Sequence, residues 1–247
     1  MSQTRTAIVT GAAQGIGLAI ARRFCEEGYH TVMLDVNGEK VAQSAVELSG
    51  CPGKAIGMAC NVSKPEQIAK AVEQAAGQLG GIDIIVNNAG ILRSTPIPDV
   101  TEEEWDLVLA VNLKSVFFMT QKALPYLKKS TAPRIINISS LAGRMGGYET
   151  GLSYSASKGG ILALTMGLAR QLAPFGITVN AVCPSTTESD IILQWTQQQI
   201  DGLRSRVPLG RLGKPEEIAS AVYYLSTEEA SYVTGLMMDV NGGIYMG

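Results

Sequence analysis

Near its N-terminus the chain reads Thr6-Ala7-Ile8-Val9-Thr10, then Gly11-Ala12-Ala13-Gln14-Gly15-Ile16-Gly17, then Leu18, Ile20, Ala21 and Phe24 in a helical pattern. A short apolar, β-branched run suits a buried parallel strand. Strand, glycine turn and helix in that order form the context in which glycine spacing marks a nucleotide site. Gly11 permits the tight turn, Gly15 lets a pyrophosphate approach the backbone, and Gly17 lets helix and strand pack closely. The helix N-terminus then faces the phosphates. The next strand, Thr31-Val32-Met33-Leu34, ends in Asp35, eighteen residues beyond Gly17. An acidic side chain there can accept hydrogen bonds from an adenosine ribose, or it can simply cap the strand end.

Strand and helix patterns alternate along all 247 residues, with no Pro/Ser-rich linker, charge block or internal repeat. Strands are expected near 6–10, 31–35, 54–61, 82–86, 133–138, 176–183 and 236–239. Helical patterns occupy roughly 15–28, 38–49, 64–79, 101–128, 153–174 and 215–226. Such alternation argues for one α/β domain over 1–247, a parallel sheet with helices on both faces. With 46% hydrophobic residues a sizeable core can form, and a net charge of −2 gives no electrostatic case for nucleic acid or an anionic membrane. No apolar stretch is read as a membrane span, and the first strand follows Met1 too closely for a signal peptide. Cys25, Cys51, Cys60 and Cys183 lack Cys-x-x-Cys spacing and His30 is the sole histidine, so no metal site is expected. A cytoplasmic protein with reduced thiols is the expectation.

Reaction chemistry is suggested further along, by Tyr154-Ser155-Ala156-Ser157-Lys158, with Ser140 at the end of the run Arg134-Ile135-Ile136-Asn137-Ile138-Ser139-Ser140. A tyrosine and a lysine four apart project from one face of a helix. A free phenol, with a pKa of about 10, is a poor base at neutral pH. A neighbouring ammonium favours the phenolate, and a serine hydroxyl can hydrogen-bond the oxygen that gains or loses charge. The chemistry implied is proton transfer to or from a carbonyl or alcohol oxygen. A serine-hydrolase role for Ser140 fails, because no Gly-x-Ser-x-Gly elbow exists.

Together these motifs resemble the short-chain dehydrogenase/reductase family over essentially the whole chain. Thr10-Gly11-x-x-x-Gly15-x-Gly17 matches its coenzyme turn, and Asn87-Asn88-Ala89-Gly90 its second signature. Asn112 matches its relay asparagine, Ser140, Tyr154 and Lys158 its catalytic set, and Pro184 its nicotinamide loop. The resemblance implies a single-domain Rossmann fold, a doubly wound parallel seven-stranded sheet ordered 3-2-1-4-5-6-7. It implies that Gly11, Gln14, Gly15, Ile16 and Gly17 surround a pyrophosphate, that Asp35 takes the adenosine ribose, and that Asn61 and Val62 border the adenine. Asn88, Ala89 and Gly90 should pass beneath the coenzyme. Tyr154 is the implied general acid/base, Lys158 lowers its pKa and holds the nicotinamide ribose, and Ser140 orients the substrate oxygen. Asn112 should hold a water linking Lys158 to solvent, or else closes helix backbone bonds.

Where the family usually reads Pro-Gly, this chain has Pro184-Ser185-Thr186-Thr187-Glu188-Ser189. Thr187 stands where a contact to the carboxamide is expected, and Ser189 replaces the usual threonine. Ser185 forbids an easy positive φ. A substrate lid is expected over about 185–210, with Ile191, Ile192, Leu193 and Trp195, and Leu92, Ser94, Arg144, Tyr148 and Glu149 are further pocket walls. Arg144 could bind a carboxylate or phosphate, or be a solvated loop residue. Cys183 could be a reactive thiol or a buried strand-end residue.

The expected activity is an NAD-dependent interconversion of a secondary alcohol and a ketone as small-molecule substrates. Within the family the nearest resemblance is to the 3-oxoacyl-carrier-protein reductase branch, through Asn87-Asn88-Ala89-Gly90-Ile91 and Val240-Asn241-Gly242-Gly243-Ile244-Tyr245-Met246. That branch usually prefers NADP and carries a basic residue where Gln14 stands, which argues against a fatty-acid synthesis role. A polyol, sugar or small hydroxy-ketone fits at least as well, with 3-oxoacyl thioester reduction as the alternative. A coenzyme-bound scaffold without turnover is a further alternative, opposed by the intact Ser140, Tyr154 and Lys158. The helices of 101–128 and 153–174 carry more apolar and small residues than one core-facing stripe needs, including Val116, Phe117, Phe118, Gly159 and Gly160. A homo-oligomer follows, and the resemblance makes it a homotetramer.

Overall fold

The computed structural model describes residues 4–147, 150–188 and 196–247. Strands β1 (Thr6–Thr10), β2 (His30–Asp35), β3 (Ala55–Ala59), β4 (Ile84–Asn87), β5 (Arg134–Ile138), β6 (Thr178–Pro184) and β7 (Met237–Val240) form one sheet. Their order is β3-β2-β1-β4-β5-β6-β7, and every pairing is parallel. The chain lays down strands outward from β1 to β3, then crosses back to place β4 on the other side of β1. That reversal leaves a crevice beyond the carboxyl ends of β1 and β4.

The helices are α1 (Gly15–Glu26), α2 (Gly38–Glu47), α3 (Pro65–Leu79), α4 (Glu102–Leu109), α5 (Ser115–Leu127), α6 (Leu141–Met145), α7 (Leu152–Leu172), α8 (Gln197–Arg204) and α9 (Pro215–Ser226). Alternation along the strands assigns them to two layers. Ala7, Val9, Met33, Ile84, Val86 and Ile136 pack against Ile20 and Phe24 of α1, Val41 of α2 and Val222 of α9. Ile8, Val32, Leu34, Ile85, Ile135 and Val179 point the other way, onto Ile68 and Val72 of α3, Met119 and Leu127 of α5 and Leu168 of α7. Strands apolar on both faces are what a sheet covered on both sides requires.

Two expectations are refined. The span 101–128 is α4 and α5 joined through a π-helical turn at Ala110–Lys114, with buried Asn112 inside it. A π turn loosens the ladder and re-aims a side chain, and here it turns Asn112 toward the backbone of Ile91. The one-turn helix α6, absent from the periodicity, exists because the Ser140 hydroxyl caps it by accepting from Ala142 N at 3.1 Å.

Contrary to the expectation that no stretch is long and apolar enough to span, Glu102–Leu127 passes on length and composition alone. Val108, Val116, Met119, Ala123 and Leu127 bury its inner face, while Trp105, Leu107 and Phe117 remain exposed. A helix buried along one face against a sheet, with Asn112 and Ser115 also buried, is a core helix.

The crevice itself is held by a small polar knot. Thr10 Oγ1 accepts from the backbone N–H groups of Asn88 and Ala89, both at 3.0 Å. The Asn88 carboxamide donates in return to the carbonyls of Thr10 and Gly11, at 2.9 and 3.0 Å. Thr10→Val would leave two amides without their partner, and should lower the unfolding free energy by roughly 2–4 kcal/mol. Thr10→Ser should stay within about 1 kcal/mol of wild type, since it keeps the hydroxyl. Urea unfolding of both variants checks this, and an equal loss in the two would assign the effect to the methyl group instead.

Candidate active site

A cleft of about 470 Å³ opens at the carboxyl ends of the central strands. Gly11, Gln14, Gly15, Ile16, Gly17, Asp35, Asn88, Ala89, Gly90, Ser140, Tyr154, Lys158, Pro184 and Thr187 all line it. Residues separated by as many as 176 positions (11 to 187) therefore converge on one cavity, as the sequence motifs anticipate. Asn61, Val62 and Asn112 are not among its walls. Asn61 instead closes a turn, its Oδ1 accepting from Ser63 N and Oγ at 3.0 and 2.8 Å, and Val62 is buried in the core. Ser189, Tyr148, Glu149, Ile191, Ile192, Leu193 and Trp195 lie outside the described residues.

The glycine turn separates into packing positions and one open position. A Cβ on Gly17 would stand 2.1 Å from the Gly11 carbonyl oxygen, and one on Gly11 2.8 Å from Ala89 Cα. Gly11 and Gly15 hold φ of +64° and +55°, a region that side chains disfavour. At Gly15, however, no protein atom lies within 4 Å of where a Cβ would be. Its bare backbone borders the cleft beside the first turn of α1, whose N-cap Gln14 makes no side-chain capping bond. Uncapped N–H groups at a helix N-terminus, beside open space, suit a diphosphate. The residues present therefore fit a dinucleotide.

At the end of β2, Asp35 uses both carboxylate oxygens locally, accepting from Ala13 N at 3.1 Å and Asn37 N at 3.0 Å. It thus caps the strand end and also lines the cleft. A nearby cation was missed from sequence. Lys40, one turn into α2, reaches back to donate to Gln14 Oε1. The helix brings this residue, the fifth after Asp35, back over the glycine turn.

At the other end of the cleft, α7 presents Tyr154 half-buried and Lys158 fully buried. The Lys158 ammonium donates to the Ile138 carbonyl at 2.8 Å and lies 5.7 Å from the Tyr154 ring centroid. Burial pushes Lys158 down to about 8. The Tyr154 phenol is displaced upward, chiefly by burial, while a hydrogen bond with Ser140 pulls it partly back. Burial is the larger influence on the phenol, and the Lys158 ammonium makes its hydrogen bond to the Ile138 carbonyl. A Cβ on Gly90 would lie 3.4 Å from both Lys158 Nζ and Asn112 Oδ1, so Gly90 passes between them.

Asn112 accepts from Ile91 N at 2.8 Å and donates to Ile91 O and Ser157 Oγ, each at 3.0 Å. Its backbone partner is thus the loop residue Ile91 and not the helix that carries it. Thr187 donates to the Ser185 carbonyl at 3.0 Å and pairs with Gly213 in an isolated bridge. Among the described residues no non-glycine has positive φ, Ser185 included. Glu188 also lines the cleft.

Beside Ser140 a second cavity of about 340 Å³ is walled by Leu141, Ala142, Met145, Leu203 and Ile244, with Thr150 and Arg206 among its polar members. Leu203 and Arg206 come from the expected lid, where α8 forms. Arg144 does not face this cavity. It forms a largely buried ion pair with Asp239 at 3.0 Å and stacks over Tyr245, 4.7 Å from the ring centroid. Both readings of Arg144 are thereby corrected, and the reason is an acidic residue 95 positions away on β7. Cys183 is fully buried, with its thiol pushed up to about 11 mainly by that burial, so it is the inert strand-end residue.

Residues 11–245 match a family model described as enoyl-(acyl-carrier-protein) reductase. The chain is 39% identical over 240 residues to the Thermotoga maritima protein named 3-oxoacyl-[acyl-carrier-protein] reductase FabG, covering 97% of each chain. It is 41% identical over 242 residues to the Vibrio cholerae protein of the same name, covering 98% of each. Among solved structures, it superimposes with a TM-score of 0.91 and 36% identity on a Brucella melitensis protein. That protein is named short-chain dehydrogenase/reductase SDR: glucose/ribitol dehydrogenase, and the match covers 98% of this chain and 97% of that one.

Proposed function

The chain belongs to the short-chain dehydrogenase/reductase family of oxidoreductases, and from that premise we propose that it is an NADH-preferring reductase of a ketone, best matched by a 3-oxoacyl thioester. The observation that carries the reading is the single cleft that joins the glycine turn to Ser140, Tyr154 and Lys158. The names of the Thermotoga and Vibrio relatives support the acyl thioester, and so does the apolar cavity beside Ser140. A polyol would leave hydroxyls facing Leu141, Met145, Leu203 and Ile244 without partners, which is costly. The Brucella neighbour's name is what favours a sugar or polyol as the second reading.

The proposed mechanism follows from charge states. When bound, the coenzyme supplies or takes the hydride. Gly11, Gln14, Gly15, Ile16 and Gly17 hold its diphosphate, Asp35 its adenosine ribose, and Asn88, Ala89, Gly90, Pro184 and Thr187 bound its path. Because burial raises the Tyr154 phenol, this group keeps its proton at neutral pH and is poised as an acid. Tyr154 gives that proton to the ketone oxygen as the alcohol forms. The Ser140 hydroxyl donates to the same oxygen, stabilising the charge that develops there. Lys158, still mostly protonated at neutral pH, favours the phenolate left behind and holds the nicotinamide ribose. Asn112 keeps Ile91 and Gly90 in place beside Lys158, and its Oδ1 can accept a further bond from the relay water.

Tyr154→Phe removes the proton donor and spares the diphosphate cradle. Turnover of acetoacetyl-coenzyme A should fall by at least ~10²–10⁴, with the dissociation constant for NADH changed less than about threefold, a small fraction of a tenfold-per-1.4 kcal/mol scale. Retention of a tenth of wild-type activity would sink the acid/base role. For the coenzyme, Asp35 faces the two extra negative charges of a 2′-phosphate, and Lys40 partly offsets them. Like charges ~4 Å apart repel by roughly 4 kcal/mol at an effective dielectric of ~20, and solvent screening reduces this further. NADH should therefore exceed NADPH in kcat/KM by roughly tenfold or more, and Asp35→Ala should erode that ratio by weakening NADH. A wild type that prefers NADPH would remove this role from Asp35. The exposed apolar residues Trp105, Leu107 and Phe117 on α4 and α5, and Leu152 and Met166 on α7, support a homotetramer. Light scattering should then return four times the 26.1 kDa chain mass, and a monomer mass at micromolar protein would refute it.

A further inference from the structure

Helix α6 has five residues, too few to hold a position by its own hydrogen bonds. Yet its cap is Ser140, whose hydroxyl must sit within reach of a substrate oxygen. The start of α6 is docked on α7, where a Cβ on Gly143 would lie 2.7 Å from the Lys158 carbonyl. Its far end is held by Arg144 alone among charged side chains of this helix. Arg144 Nη2 binds Asp239 Oδ2 at 3.0 Å, Nη1 lies 3.2 Å from Met237 Sδ, and the guanidinium covers the Tyr245 ring. Asp239 and Met237 belong to β7, and Tyr245 to the tail that follows. That tail is bent back on itself by Asn241, which donates to the Tyr245 carbonyl at 3.1 Å and accepts from Gly243 N at 2.9 Å. Between Gly243 and Tyr245 stands Ile244, a wall of the cavity beside Ser140.

We infer that the Arg144–Asp239 pair is a positioning device that locks the Ser140 turn and the C-terminal tail into one unit, so that tail and hydroxyl together set the substrate pose. The inference rests on the reductase reading and adds residues that make no contact with the reacting atoms. Its energetics favour geometry over stability. Arg144 and Asp239 side chains are only 16% and 18% exposed, and one atom of each, Arg144 Nε and Asp239 Oδ1, is buried without a partner. A buried pair left partly unsatisfied contributes little net stability, and apolar replacements of similar size are often neutral or stabilising. What such replacements cannot supply is direction, since the bidentate reach and planar stacking of a guanidinium fix the α6 turn against both partners at once.

The test separates these effects with the double variant Arg144→Met with Asp239→Leu. It should unfold at the wild-type urea midpoint or above, and bind NADH within about twofold of wild type. Hydrogen exchange at amides 142–146 and 243–246 should quicken together, by about tenfold or more. With acetoacetyl-coenzyme A as probe, kcat should fall about tenfold and KM should rise, and Arg144→Lys, which keeps the charge but not the stack, should lie between. Unchanged exchange at either segment, or a kcat/KM within twofold of wild type, would overturn the proposal. Should the double variant fail to fold, Arg144→Lys and Asp239→Asn carry the same exchange measurement, and unchanged exchange in both is again fatal. Failure of the wild type to reduce acetoacetyl-coenzyme A would instead count against the reductase reading, while the exchange arm still decides the lock.

Discussion

The approach of the β1 turn to the end of β4 is the constraint on which the rest of the site depends. A Cβ on Gly17 would strike the Gly11 carbonyl, and one on Gly11 would strike Ala89. Backbones this close leave room only for short side chains, so the contact is made by Thr10 and Asn88 reaching across in both directions. The consequence is a fixed distance between the diphosphate cradle and the segment Asn88–Gly90. Since Gly90 in turn slots between Asn112 and Lys158, the same contact relays position from the first βα turn to α7. One polar knot, built from short side chains with few rotamers, thus spans the two halves of the cleft. Rigid support of this kind is what places reacting groups to within fractions of an ångström.

Much of this was legible in the amino-acid order, for a physical reason. Glycines forced by backbone contact, and strands buried on both faces, leave local signatures: the Gly11–Gly17 spacing, the runs Thr6–Thr10 and Ile84–Asn87. Fourteen cleft residues could be named because each sits at a strand's carboxyl end or on the helix after it. What escaped were pairings between side chains distant in sequence. The Arg144–Asp239 pair, 95 residues apart, carries no local mark, and neither does the return of Lys40 over Gln14. The π turn at Ala110–Lys114 escaped as well, because a one-residue expansion barely disturbs an apolar period while it re-aims Asn112. Asn61 is a motif position whose side-chain oxygen is engaged by Ser63 two residues on, a local turn that the motif does not announce.

The coenzyme end of the cleft shows why a single acidic residue does not fix selectivity on its own. Asp35 is held by two backbone N–H donors, which anchor the carboxylate and fix where its charge lies. A charge held in place discriminates better than one on a free rotamer, because it cannot swing away from a 2′-phosphate. Lys40 works against that discrimination, but it is exposed and sits on a long flexible stem. Holding its ammonium in one position costs side-chain entropy, and water screens what remains. On the NADH-preferring reading proposed above, the anchored carboxylate is the stronger of the two opposing charges.

At the reaction end, the important question is why the lysine is buried at all. Taking an ammonium out of water lowers its pKa, to about 8 here, and a single hydrogen bond to the Ile138 carbonyl offsets only part of that cost. An ammonium so placed remains mostly charged at neutral pH, yet it is short of partners and gains from any anion or hydroxyl that arrives. In the proposed mechanism a phenolate forming on Tyr154, or a ribose hydroxyl, would provide that partner. The desolvation that destabilises Lys158 before the reaction therefore strengthens its attraction for charge that exists only as the proton leaves Tyr154. Burial raises the phenol and lowers the lysine at once, because in each case it disfavours the charged form. A lysine at the same distance but open to water would be screened from the phenolate, and the four-residue spacing on α7 would then be only a surface pair.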